Sequence, residues 1–498
     1  MTRRFLAPRL DRPFQADSHW RRVQAGAGVL LGLSVCVSCS SASPGAPPLS
    51  GPHMKPVAEH LSLAQSPDGR FISWREHIID ERLEDGAPLT GGDGLAMADF
   101  DGDGREDIVS VHESDTTYDG FPDGYVRLAF STGDLQRWQT VTLASGSEAA
   151  APEDVAVGDL NGDGRPDVIV ASELAHLIYL QNPGASARTE RWPRVILEVS
   201  RNRGSFIKVG LADFDGDGRL EATAANKGEQ NPSPGATLKT AISVFRPGPD
   251  PLTGGAWRET ELGRHTIPQN AHPVDIDGDG DVDIMSGVRS PPSLVLYENR
   301  SAGSLSFHEQ PLTTAGGNPA GFNLDFGDMN ADGRLDVISA DASGLVWVEQ
   351  PARLEETWRV HRIGTLAPDP VTGLVLADID GDGDLDAMTG SYSSGPRDND
   401  GEASPERALG RIAWFENLGA SGMAWRRHDI SRRVRGMFDE FIARDMDRDG
   451  DTDFVGTRGN STPYDGVFWL EQVRTPVQAP AFRRARTQDS RETPLRGP

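Results

Sequence analysis

Short stretches in which apolar residues alternate with small or polar ones recur along most of the chain. Each is bounded by Gly, Asp or Pro, the pattern of half-buried β-strands and not of helices. Around residue 160 the order reads VAVGD, an acidic turn, VIVAS, HLIYLQN and WPRVILE, which makes a unit of four strands. The third strand returns as YVRLAF, LIYLQN, AISVF, LVLYEN, LVWVEQ, IAWFEN and VFWLEQ. The fourth opens on an aromatic at Trp138, Trp192, Trp257, Phe307, Trp358 and Trp425. Tryptophans tied to a strand position in this way read as anchors between neighbouring sheets.

The last unit ends at VFWLEQ without an aromatic strand, and the missing strand stands at the other end of the chain. Trp74 in WREHIID matches WRVHRI at Trp358 and WRRHDI at Trp425, so the N-terminal segment can complete the last unit. Pairing strands from both ends removes the open edges that invite aggregation. The prediction is an all-β fold, a seven-bladed β-propeller of four-stranded blades whose ring is closed by an N-terminal strand in the last blade. The spacing of the units, 50 to 67 residues, leaves room for long loops between strands.

Between the first and second strand of every unit stands an acidic turn, first as DFDGDGRED. Carboxylates fall at positions 1, 3, 5 and 9, here Asp99, Asp101, Asp103 and Asp107, and Gly104 permits the turn that aims them at one centre. The later copies carry Asp159, Asn161, Asp163 and Asp167; Asp213, Asp215, Asp217 and Glu221; Asp275, Asp277, Asp279 and Asp283. Then come Asp328, Asn330, Asp332 and Asp336; Asp378, Asp380, Asp382 and Asp386; Asp445, Asp447, Asp449 and Asp453. Hard oxygen donors at this density suit a cation that takes six to eight oxygens, so Ca2+ is expected at up to seven structural sites, with the backbone carbonyl at position 7 as a further donor. An EF-hand shares the opening but closes on a glutamate at position 12 between helices, whereas strands flank these loops.

The unit GDLNGDGRPDVIVAS resembles the FG-GAP or VCBS repeat of integrin alpha-subunit heads and of many secreted bacterial proteins, over about residues 60 to 472. The resemblance implies a propeller with calcium loops on its lower face. VAS, SVH and VGT stand where the GAP half of the motif would be, so the bacterial type is nearer, and no integrin ligand-binding residue carries over. Such a resemblance speaks to fold far more than to function.

Composition narrows the partners. A net charge of -26 and a pI near 4.8 argue against nucleic acid, whose phosphates need a basic surface. Residues 1–39 read as an export signal: six arginines precede an apolar run from Ala25 to Val37 too short to span a bilayer. LSVCVSC resembles a bacterial lipoprotein box with Cys39 as the lipidated residue, the other reading being simple cleavage near Ser40. Residues 40–58 read as a flexible linker, 59–473 as the propeller and 474–498 as a disordered Arg/Pro-rich tail. Both cysteines, Cys36 and Cys39, lie in the signal, so disulfides and thiolate chemistry are excluded from the body. The expected state is an exported monomer, on the outer membrane through a lipid anchor, at the cell surface or outside the cell.

Function is expected opposite the acidic loops, where connections differ in length. The ends of the second strands present His112, Glu113, Glu173, Lys227, Arg289, Asp341, Tyr392 and Arg458, and the starts of the inner strands add Asp154, Lys208, Asn270, Asn323 and Glu440. The long connections HESDTTYDGFPDG, YSSGPRDNDGEASPERALG and TRGNSTPYDG belong to units 6, 7 and 1, so that rim is the first candidate, with His112, Tyr392, Arg458, Tyr464, Arg289 and Lys227 as ligand-binding residues. A polar ring of this kind suits carbohydrate or a surface protein. The alternative is a polysaccharide lyase or sugar dehydratase on the same scaffold, for which the sequence singles out no catalytic residue.

Overall fold

Alternation along the chain becomes, in three dimensions, a series of antiparallel sheets built from consecutive strands. A computed structural model of the chain describes residues 60–113, 123–233, 235–392, 410–433, 436–459 and 463–486. The expected signal with Cys39, the linker to residue 58, and most of the long connections of units 1 and 6 lie outside the described residues, as do residues 460–462 of unit 7.

In unit 1 the strands Gly92–Ala98, Asp107–Glu113, Gly124–Ser131 and Trp138–Ser145 are hydrogen-bonded in chain order. Unit 2 (Pro152–Gly158, Asp167–Ser172, Leu177–Leu180, Arg194–Ile196) and unit 6 (Val371–Ala377, Asp386–Ser391, Gly410–Asn417, Trp425–Arg433) repeat that order. Unit 5 adds a short fifth strand, Thr314–Ala315, parallel to Trp358–Gly364. Units 3 and 4 share one sheet of eight strands. Strand Arg258–Pro268 runs to 11 residues and overshoots its own unit, so Thr266 and Pro268 pair with Ser290 and Val288 of the next. Hydrogen bonding therefore delimits six sheets among the described residues, where the sequence predicts seven.

The last sheet is assembled from both ends of the chain. Phe71–Asp80 pairs antiparallel with Gly466–Thr475, from Phe71 opposite Thr475 to Asp80 opposite Val467. The segment expected to be a disordered tail also takes part: Phe482–Arg483 pairs parallel with Trp74 and Arg75, and Phe482 is buried. Its apolar ring, which the Arg/Pro-rich composition obscures, belongs to the same core as Trp74 and Phe454.

The core lies between successive sheets. Seven apolar clusters each join one unit to the next, for example Phe100, Phe130 and Trp192 between units 1 and 2, and Trp347, Leu374 and Phe415 between units 5 and 6. One of them, with Ile79, Met97, Ile108, Val455 and Trp469, packs unit 7 against unit 1. The tryptophans behave as anchors: Trp192, Trp257 and Trp358 are fully buried, and the Trp192 ring meets Phe100 edge-on at 5.7 Å. First strands touch one another between units 1 and 2, 2 and 3, 3 and 4, 5 and 6, and 6 and 7, and Gly92–Ala98 also lies against Asp453–Arg458. Their approach is close enough that a Cβ on Gly94 would sit 2.5 Å from Asp154 Oδ1. This all-β arrangement is consistent with a β-propeller.

Acidic loops and a central cavity

The acidic turns are built around two carboxylates with separate tasks. In unit 1 Asp99 Oδ1 accepts hydrogen bonds from the N–H groups of Gly102 (2.8 Å) and Asp103 (3.0 Å), and Oδ2 accepts one from Gly104 (2.8 Å). Position 1 thus winds the loop around itself. Asp107, at position 9, accepts from Phe100 N (3.0 Å) and from Ser131 N (2.8 Å), tying the loop to the third strand. Gly104 has a φ of 83°, in the left-handed region that other residues avoid, and its counterparts in the other loops are likewise glycines at positive φ.

Carboxylate oxygens of Asp99, Asp101 and Asp107 lie within 4.8 Å of one another, as do those of Asp213, Asp215 and Glu221, of Asp275, Asp277 and Asp279, and of Asp378, Asp380 and Asp386. The remaining copies repeat the same turn, with Asp159, Asp328 and Asp445 each accepting from the glycine N–H five residues on. Burial, with repulsion from neighbouring carboxylates, pushes Asp107, Asp283 and Asp336 up to about 7 and Asp386 and Asp453 up to about 8. Oxygen-only donors that repel one another fit a hard divalent cation.

Beside these loops stands a feature that the sequence reading passed over. The Trp-x-x-His pattern of the fourth strands places His77, His361 and His428 against Glu471, Glu349 and Glu416, with Nε2 to Oε2 distances of 2.6, 2.8 and 2.7 Å. Each imidazole also stacks on a third-strand indole, Trp469, Trp347 or Trp414, at 4.3 to 4.5 Å. The repeated WRxH spacing in the sequence carried that signal.

At the opposite ends of the second strands lies a cavity of about 720 Å³. Glu173, Lys227, Arg289, Asp341 and Tyr392 line it, five of the strand-end residues that counting along the repeats singles out. Of the six proposed ligand-binding residues, then, the fold brings together Lys227, Arg289 and Tyr392. His112 is fully buried with Nε2 at 2.9 Å from Ser110 Oγ, and burial pushes it down to about 3. Arg458 is buried too, donating to Glu76 (3.2 Å) and to the carbonyl of Tyr464 (2.7 Å). Tyr464 sits outside the cavity under the guanidinium of Arg486. The cavity therefore draws its described walls mainly from units 2 to 6 rather than from the expected rim of 6, 7 and 1.

The starts of the inner strands contribute as well, one residue off from the expected positions. Glu153, Gln269, Phe322 and Asp439 line the cavity, whereas Asp154, Asn270 and Asn323 turn aside and hold neighbouring units together. Asp154 accepts from Val209 N at 2.9 Å, Asn270 donates to Gly321 O and Asn323 to Asp439 O. Lys208, 3% exposed, is clasped by Glu440 at 3.0 Å with Asp154 and Asp439 at 3.7 Å. Charge in the walls is mixed: Lys227 pairs with Glu173, and Arg289 donates to Gln269 Oε1 at 3.1 and 2.6 Å. Burial and the nearby Glu153 hold Glu173 well above the usual carboxylate range. Asp93, Glu113 and Glu153 form a further buried acidic group beside it.

Fold and loops together are those of an all-β repeat protein, consistent with a propeller, whose acidic turns could hold metal ions. Models of the FG-GAP-like repeat match residues 99–170, 159–222, 275–339 and 328–389, and the chain belongs to the FG-GAP repeat family. Among solved structures, BBS1N in complex with ARL6DN is similar at 10% identity, over 80% of this chain and 97% of that one, with a TM-score of 0.42. The V. cholerae biofilm matrix protein Bap1 is similar at 13% identity, over 80% of this chain and 91% of that one, with a TM-score of 0.40. No curated protein sequence matches the chain.

Proposed function

We propose that the chain is an exported, calcium-stabilised binding module: a seven-bladed propeller, closed by its N-terminal strand, that takes carbohydrate in the cavity opposite its metal loops. Lipidation at Cys39 would hold it at the membrane surface. The observation that carries the reading is the wall of the cavity, where Lys227, Arg289, Asp341 and Tyr392 converge from four units beside Phe322 and Pro292. Sugars present hydroxyls for such planar and charged groups and an apolar ring face for aromatic ones, and a cavity of about 720 Å³ admits one or two sugar rings. Support for the ring comes from the apolar cluster between units 7 and 1, and support for calcium from the all-oxygen loops.

A glycan array probed with the full chain tests the reading. Arg289→Ala and Tyr392→Ala should each weaken a bound glycan by about 1–3 kcal/mol while leaving the melting temperature near that of the parent. Binding that survives both substitutions, or maps to the loop face, would remove carbohydrate from the cavity.

A further inference from the structure

Seven loops share one formula, but the residue beside each loop on the third strand does not. Cross-strand register fixes that position, one step beyond the partner of the residue after position 9: Phe130, Gln181, Arg246, Glu298, Glu349, Glu416 and Glu471. Units 4 to 7 therefore add an acid to an acidic loop, and unit 3 alone places a cation there.

The following residue differs in step. Asn182, Asn299, Gln350, Asn417 and Gln472 each donate their backbone N–H to the position-9 carboxylate at 2.7 to 2.8 Å. Unit 3 has Pro247, which carries no N–H, and its position 9 is Glu221, one methylene longer than the usual Asp. Arg246 supplies the missing donor, with Nε at 3.3 Å from Glu221 Oε1. Its Nη2 makes an ion pair with the buried Asp215 and lies 3.3 Å from Asp217 Oδ2. One guanidinium thus meets the carboxylates of positions 3, 5 and 9, the oxygens a metal ion would need. Arg188 reaches the loop of unit 1 differently, touching Asp101 and Asp103 from the neighbouring unit while Ser131 still donates to Asp107.

We propose that the loop at Asp213 is closed by Arg246 in place of a divalent cation. A delocalised guanidinium, permanently charged, suits several carboxylates at once and cannot be chelated away. The inference rests on the calcium reading only for the other loops.

Calcium equivalents bound by the full chain, counted by equilibrium dialysis, and melting in EDTA test it together. Asp378→Asn should remove one equivalent and Asp213→Asn none, while Arg246→Glu, which restores the residue type of units 4 to 7, should add one. In EDTA, Arg246→Gln should lower the melting temperature by several degrees, since the loop loses its counter-charge with no metal to replace it. Loss of one equivalent in Asp213→Asn, or an unchanged melting temperature for Arg246→Gln in EDTA, would overturn the proposal. A chain that binds no calcium at all would defeat the calcium reading, and the EDTA melting comparison would still decide the role of Arg246.

Discussion

His112 shows how far a residue's chemistry depends on the parity of its strand. It lies on Asp107–Glu113, buried at every position, and both desolvation and the nearby Arg127 disfavour its charged form, which pushes it from 6.5 down to about 3. The unfolded chain takes up a proton near 6.5 that the folded chain refuses, so the stability due to this residue is whole above that pH and is lost as pH falls toward 3. His112→Gln should therefore lessen the acid sensitivity of folding in that window. Urea midpoints at about pH 7 and about pH 4.5 check it, and an identical pH slope in parent and variant would refute it. A change of parity also explains one misplaced wall residue. Bulges shift the register between Pro152 and Asp154 and between Phe206 and Lys208, so a count back from the loop selects Asp154 although Glu153 faces the cavity. A bulge inserts one residue into a period of two and leaves no mark in composition. Arg289, within its second strand, and Lys227 and Tyr392, one residue past theirs, were found by counting, because those strands keep an unbroken register with the third strands.

Strands and loops were far more legible than single side chains, because both repeat. Every third strand named by its apolar run is present, and each acidic turn joins the first and second strands of its unit. What the sequence withheld was sheet membership: nothing in RETELGRHTIP signals that its last residues cross to the neighbouring unit. At this scale metal removal should act unevenly. Chelation should lower the melting temperature, and restoring calcium at the ~10⁻⁴ to 10⁻³ M typical of extracellular modules should recover it. Asp378→Asn, in a loop with a further acid at Asp384 and Glu416 beside it, should cost more calcium-dependent stability than Asp159→Asn, whose loop already carries Asn161. Calorimetry with and without EDTA checks the order, and equal shifts in the two variants would show that loop charge does not set affinity.

Over the whole molecule the strand Phe71–Asp80 does more than fill an edge. Glu76, within it and 2% exposed, receives Arg433 of unit 6 at 3.0 Å and Arg458 of unit 7 at 3.2 Å, so one carboxylate joins three segments remote in sequence. Removing it would leave two guanidinium groups short of a buried counter-charge, and Glu76→Ala should cost about 3–5 kcal/mol, read from the urea midpoint. Deleting residues up to Asp80 should cause aggregation by baring the edge of Gly466–Thr475, whereas deletion of residues 1–55 removes none of these pairs. Equal solubility of the two truncated chains would refute that role for the strand.

That pairing also sets an order of events in time. Arg75 meets Glu471 across 396 positions of chain, so when the first strand has been synthesised its partner does not yet exist. Units 1 to 6 can stack as they appear, each through contacts local to the chain, while the N-terminal strand must wait, unpaired and with Trp74 bare, until the last unit is complete. Contacts of such long range form slowly. Final locking should thus be the slow phase of refolding, seen as a late change in tryptophan fluorescence from Trp74 and from Trp469, on which His77 stacks, and Trp74→Phe should shrink that phase without altering the earlier ones.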